Sequence, residues 1–155
     1  LGNAHPNIVP YQLFETADRP IILAAGNDRL FERACEVLGR PELAADERFA
    51  TNAARVRNRD ALIPLLSAEM TSRSAAELLA ALEAAAVPCA PVRTLDEVFA
   101  SAEGSAAIQE IDDPARGLLR LVADPIRVGG RMPPARFPPP LLGEHTDEIL
   151  AELDK

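Results

Sequence analysis

The sequence predicts an α+β protein: a small helix-rich domain with a short sheet, followed by a proline-rich strap and a C-terminal helix. Three observations carry this. Short apolar runs bounded by turn residues alternate with segments of helical apolar spacing. Two capping boxes, Ser74-Ala75-Ala76-Glu77 and Thr94-Leu95-Asp96-Glu97, mark helix starts. Five of the 14 prolines lie between Pro133 and Pro140, a density that holds the backbone extended and semi-rigid.

The first element is a strand entered from the turn-rich segment Gly2-Asn3-Ala4-His5-Pro6-Asn7. Pro20-Ile21-Ile22-Leu23-Ala24-Ala25-Gly26 reads as a buried strand. Asn27 then caps a helix with Leu30, Phe31, Ala34, Cys35 and Leu38 on one face, and Gly39 followed by Pro41 ends it. Residues 41–51 predict a short helical turn and loop. Residues 55–70 predict one helix with Leu62, Leu65 and Leu66 inward, in which Pro64 requires a start close before it or a kink.

The first capping box opens a helix with Leu78, Leu79 and Leu82 inward, and the second opens a short one around Val98. Between them Val87-Pro88-Cys89-Ala90-Pro91-Val92 predicts an edge strand, because each proline biases its predecessor toward extended backbone and removes a ladder donor. The pattern weakens over 101–117, where 107–111 carries a faint strand signal. Leu118-Leu119-Arg120-Leu121-Val122 predicts another strand. After Gly129-Gly130 the strap delivers Leu141 and Leu142 to a helix from Thr146, with Asp147 and Glu148 complementing its dipole. A helix of about ten residues is marginal alone and needs a partner surface. The segments at residues 2–11 and 142–150 both suggest that function is shared with sequence outside this chain.

At 155 residues the chain is long enough for one ordinary domain and one core. With aromatics at 4% and no Trp, that core must be built from Ala, Leu and Val. Sixteen basic against 24 acidic residues give a net charge of −8, which repels a phosphate backbone, so no nucleic-acid partner is expected. Neither a run of about 18 apolar residues nor a basic-then-apolar leader is present, so no membrane partner is expected and a cytoplasmic setting is the default.

Little self-sufficient chemistry is visible. P-loop, G-x-S-x-G, H-E-x-x-H and G-x-G-x-x-G motifs are missing. Cys35 and Cys89 lie in no metal-ligand spacing with His5 or His145 and read as small hydrophobes; no metal site is implied. Asp112-Asp113 and Asp46-Glu47 read as solvated loop charges, and His145 as a capping or surface residue. Arg55, Arg57 and Arg59 suggest a phosphate clamp, but alternate residues on a helix face different ways, so a solvated helix start is the simpler reading. Gly2, Asn3 and His5 are the candidate substrate-binding residues, since they share a loop where backbone and side chain can approach a ligand.

Gly2-Asn3-Ala4-His5-Pro6, Gly26-Asn27-Asp28, Gly39-Arg40-Pro41-Glu42-Leu43, Asp46-Glu47-Arg48-Phe49-Ala50-Thr51-Asn52, Arg55 through Asn58-Arg59, Val87-Pro88-Cys89-Ala90-Pro91-Val92, Asp124-Pro125-Ile126-Arg127 and Gly143-Glu144-His145-Thr146 occur in this order over nearly the whole chain. Together they resemble the class III CoA-transferases, the L-carnitine dehydratase and bile-acid-inducible family, which includes α-methylacyl-CoA racemase relatives. The resemblance implies a C-terminal portion: residues 1–14 crossing from a Rossmann-like large domain, a small α+β domain at 15–128, a proline-rich linker at 129–142, and a helix at 143–155 returning to the large domain.

The same resemblance implies acyl-CoA:carboxylate CoA transfer through a covalent aspartyl mechanism, with coenzyme A or acyl-CoA as substrate and no permanently bound cofactor. Its partners would be acyl-CoA, a carboxylic acid acceptor and a second copy in an interlocked homodimer. The aspartate lies upstream of Leu1, so no catalytic residue is assigned here and this portion alone is expected to be inactive. Residues 2–6 occupy the place of a glycine-rich loop that closes over the site in some members, and only Gly2 agrees in type. Asp18-Arg19-Pro20 departs from the family's usual Asp-Gly hairpin and needs a different turn. Alternatives are an acyl-CoA racemase of the same family and a non-catalytic binding or interaction domain.

Overall fold

A computed structural model of the protein describes residues 2–153; Leu1 at the start of the expected crossing segment, and residues 154–155 at the end of the expected return helix, lie outside the described residues. The chain divides between Val92 and Arg93 into two compact units. Both combine helices with a small antiparallel sheet, an α+β arrangement.

In the first unit, β1 (Tyr11–Phe14), β2 (Ile21–Ala24) and β3 (Cys89–Pro91) form an antiparallel sheet in the order β1-β2-β3. Gln12 pairs with Leu23 and Ile22 with Ala90, so β2 is central and the proline-bearing β3 is an edge. Alternation along β2 sends Ile21 and Leu23 into the core. The Asp18-Arg19-Pro20 link needs no positive φ: the Thr16 hydroxyl contacts the Arg19 carbonyl at 2.7 Å, and Asp18 Oδ1 accepts the Ala75 N–H at 2.7 Å.

The unit's helices are α1 (Asp28–Val37), α2 (Pro41–Ala45), α3 (Asn52–Arg57), α4 (Arg59–Thr71) and α5 (Ala75–Ala84). Asn27 caps α1 by accepting the Leu30 N–H, and Ser74 and Glu77 form the expected capping box on α5. Their inward faces close one core with the sheet, around Phe14, Phe31, Leu62, Leu66, Met70 and Leu78. Residues 55–70 do not form the single helix expected. Asn58 leaves the helical region at φ −108, ψ 23, and its Nδ2 donates to the Ala54 and Arg48 carbonyls at 3.0 Å each, which separates α3 from α4. Pro64 lies five residues inside α4, and the carbonyl it leaves without a helical partner belongs to the exposed Asp60.

The second unit contains α6 (Leu95–Ala100), α7 (Ala102–Ala106), β4 (Ile108–Asp113), β5 (Gly117–Val122) and α8 (Thr146–Leu153). Helix α7 has no counterpart in the sequence reading, because its five residues are too few to show a period. β4 and β5 pair as a hairpin from Ile108↔Val122 to Asp113↔Gly117. The strap turns at Gly129 and Gly130, both at positive φ (59° and 77°), and is held to the hairpin by the Ala135 N–H on Gln109 Oε1 and by Arg116 on the Pro139 carbonyl. α8 buries none of its residues, and Ile149, Leu150 and Leu153 are more than half exposed. No helix among the described residues is long and apolar enough to cross a membrane.

Asp113 corrects one expectation: it is 6% exposed and is not a solvated loop charge. Its carboxylate grips Arg116 through Nε at 2.9 Å and accepts the Ala115 and Arg116 N–H groups at 2.8 Å. Those bonds, the Arg116 side chain first, hold its pKa below the ordinary 3.8. A lowered native pKa stabilises the fold fully above pH 3.8 and ceases to do so as pH falls through the native value. Asp113→Asn is therefore expected to flatten the acid limb of stability against pH, measured by thermal melts below about pH 4. An unaltered acid limb would show that the hairpin clamp contributes nothing.

Candidate functional site

The candidate site grows from the loop ahead of β1. Asn3 Oδ1 accepts the Leu13 N–H at 3.0 Å, docking the start of the loop on the middle of β1. The His5 N–H donates to the Tyr11 carbonyl at 2.9 Å, and the His5 ring stacks on Tyr11 with centroids 5.4 Å apart and planes 8° apart. His5 Nδ1 accepts the Asn7 N–H at 3.1 Å. Loop and strand thus form one wall.

The opposite wall is the start of α4. Between them lies a groove of about 630 Å³, lined by Gly2, Asn3 and Ala4 of the loop, Gln12 and Leu13 of β1, and Arg59, Asp60, Ile63 and Pro64 of α4. Gly2 and Asn3 therefore share the groove. His5 does not line it; its ring is spent on Tyr11 and its carbonyl is held from below. Arg59 Nη2 donates to the His5 and Pro6 carbonyls at 2.6 and 3.1 Å. Arg59 Nη1 is buried and has no acceptor among the described residues.

Two further side chains hold the loop. Asn52 donates from Nδ2 to the Asn7 carbonyl at 2.8 Å and accepts the Val9 N–H on Oδ1 at 3.1 Å. Arg55, wholly buried, donates from Nε to Val9 O at 2.6 Å, from Nη1 to Phe49 O at 2.8 Å and from Nη2 to Asp28 Oδ1 at 2.8 Å, with its guanidinium 4.3 Å from the Phe31 ring centroid. This overturns the reading of Arg55, Arg57 and Arg59 as a solvated helix start. Arg57 does point to solvent, but Arg55 and Arg59 both turn toward the loop and donate to its carbonyls. Helical spacing does not reveal them, because Asn58 interrupts the helix between Arg55 and Arg59 and their acceptors lie far back in the chain.

The groove presents one cation, one carboxylate, amide groups and an apolar floor. It holds no activated nucleophile. Burial pushes the Cys35 thiol up to about 12 and also raises Cys89, so neither is a thiolate near neutral pH. Among the described residues no three His, Cys, Asp or Glu side chains are grouped to hold a metal ion.

Residues 1–146 match the model of CoA-transferase family III. The chain is 41% identical to a succinate–glutarate CoA-transferase of Agrobacterium fabrum, over 99% of this chain and 39% of that protein, and 36% identical to succinyl-CoA:glutarate CoA-transferase of Mus musculus, over 98% and 35%. The crystal structure of a CAIB/BAIF family protein from Brucella suis superposes with a TM-score of 0.71 at 42% identity, covering 98% of this chain and 39% of that one. The chain belongs to CoA-transferase family III. It spans about two-fifths or less of the length of the relatives it matches.

Proposed function

We propose that this chain is the C-terminal portion of an acyl-CoA:carboxylate CoA-transferase whose acceptor is a short dicarboxylic acid. The observation that carries the reading is the 41% identity, along 99% of the chain, to a relative named for succinate and glutarate. The nucleophile is an aspartate in a large Rossmann-like domain upstream of Leu1. It attacks the acyl-CoA carbonyl and expels CoA thiolate, leaving a mixed anhydride; the thiolate then attacks the aspartyl carbonyl, releasing the first acid and leaving an enzyme–CoA thioester. The acceptor carboxylate attacks that thioester and expels CoA thiolate, forming a second anhydride; the thiolate then attacks the acceptor's acyl carbonyl, releasing the new acyl-CoA and regenerating the aspartate carboxylate. The groove at residues 2–4 and Arg59 lies against the acid end of the substrate, with Gly2 and Asn3 as its wall.

In this reading residues 1–14 cross from the large domain, residues 15–128 are the small domain, and the linker at 129–142 carries residues 143–155 back. The exposed Ile149, Leu150 and Leu153 of α8 support that return, since an eight-residue helix gains its stability from packing an apolar face. Two subunits interlock as a homodimer. The test is to incubate the full gene product with succinyl-CoA and glutarate: glutaryl-CoA and free succinate are expected in equal amounts, and residues 1–155 alone are expected to be inert. A full-length protein inert toward a panel of acyl-CoA donors and dicarboxylic acids would overturn the reading.

A further inference from the structure

We infer that Arg59, acting with Asn52 and Arg55, is a positioning residue for substrate: the three hold the loop at residues 5–9 by its carbonyl groups and so keep the groove wall formed by Gly2 and Asn3 in place. The inference rests on the transferase reading and adds to it the residues that set its acid-binding wall. Asn52, Arg55 and Arg59 between them engage the carbonyls of His5, Pro6, Asn7 and Val9 and the N–H of Val9. A loop otherwise held to β1 by the Asn3–Leu13 and His5–Tyr11 bonds is thereby tied to a helix from its other side.

The three contacts differ in kind. Arg55 is buried in the core and its loss affects the fold itself. Arg59 is half-buried at the groove and donates from Nη2 to two backbone carbonyls of the loop, while its buried Nη1 has no acceptor among the described residues. A charged donor placed there holds the loop more firmly than a neutral one, by the strength of charge-assisted bonds. Because the transferase reading places the acid against this wall, loosening the wall should affect the acid and leave the CoA handle of the donor bound elsewhere.

The experiment uses the full-length protein with Arg59→Gln, and Asn52→Ala as the second variant should the first fail to fold. Amide exchange is read at His5, Val9 and Leu13 against Leu78 and Leu82 in α5, and steady-state kinetics are read separately for acyl-CoA and acid. Exchange about tenfold faster in the loop with α5 unchanged is expected. KM for the acid is expected to rise about tenfold, with KM for acyl-CoA and kcat changed much less. Loop exchange that stays as slow as in the wild type, or losses confined to kcat, would overturn the inference. Failure of the transferase reading is distinguishable, because it shows as an inert wild-type protein whatever the variants do.

Discussion

Replacing Arg55 by Met is expected to cost about 3–5 kcal/mol of folding stability, the range for removing one member of a buried charged network. The competing effect is real: a buried guanidinium carries a desolvation penalty, and exchanging a whole buried ion pair for apolar residues is often neutral. Here the other members cannot be exchanged. Two of the three acceptors are backbone carbonyls, of Val9 and Phe49, in residues with no exposed surface. Each would be left without its donor, at about 1–3 kcal/mol. The third acceptor, Asp28, is 55% exposed at its side chain and returns to water, so that ion pair contributes little to the difference. Loss of the contact with Phe31 adds to the total. Urea unfolding should show a lower midpoint with an unchanged m-value, and Arg55→Lys should recover little, since an ammonium cannot span all three acceptors. A loss in Arg55→Met below about 1 kcal/mol would mean that the network is dispensable.

Gly104→Ala is expected to destabilise the second unit by about 3 kcal/mol, at the upper end for overpacking. A Cβ there would sit 1.9 Å from the Val98 carbonyl oxygen and 2.7 Å from its carbon. Both are backbone atoms, and the oxygen already accepts the Ser101 N–H at 3.1 Å and the Ser101 hydroxyl at 2.7 Å. Moving α7 away would stretch the 3.1 Å bond by which Ser101 Oγ caps it at the Gly104 N–H. Alanine favours a helix over glycine by only about 1 kcal/mol, so the clash decides the sign. Faster amide exchange at Ser105 and Ala107, with exchange of the β2 amides unaffected, is the expected signature. An unchanged or higher melting temperature would refute it.

Legibility follows the range of the interaction. Asn27 as a cap, the capping boxes at Ser74 and Thr94, β2 and the edge strand between Pro88 and Pro91 depend on neighbours within a few residues, and each forms where expected. The break at Asn58 is hidden because its side chain bonds the Arg48 carbonyl ten residues back as well as the local Ala54 carbonyl. Asp113 reads as solvated in the sequence because its burial is a property of the folded hairpin. In the candidate site, Gly2 and Asn3 are visible as loop residues, whereas the groove they wall exists only because α4 is brought to the loop.

The sequence by itself determined the α+β class, most element positions and the family likeness, because caps, periods, prolines and ordered motifs are local or additive signals. The tertiary structure decided what Arg55 and Arg59 do. Along the chain both read as surface charge, no different from the exposed Arg57 between them. It is the Val9 carbonyl, 46 residues away, that makes Arg55 a buried tie, and the His5 carbonyl, 54 residues away, that ties Arg59 to the loop of the candidate site. Partners so distant in the chain leave no trace in local spacing, since only the packing of α3 and α4 against the loop brings acceptor to donor.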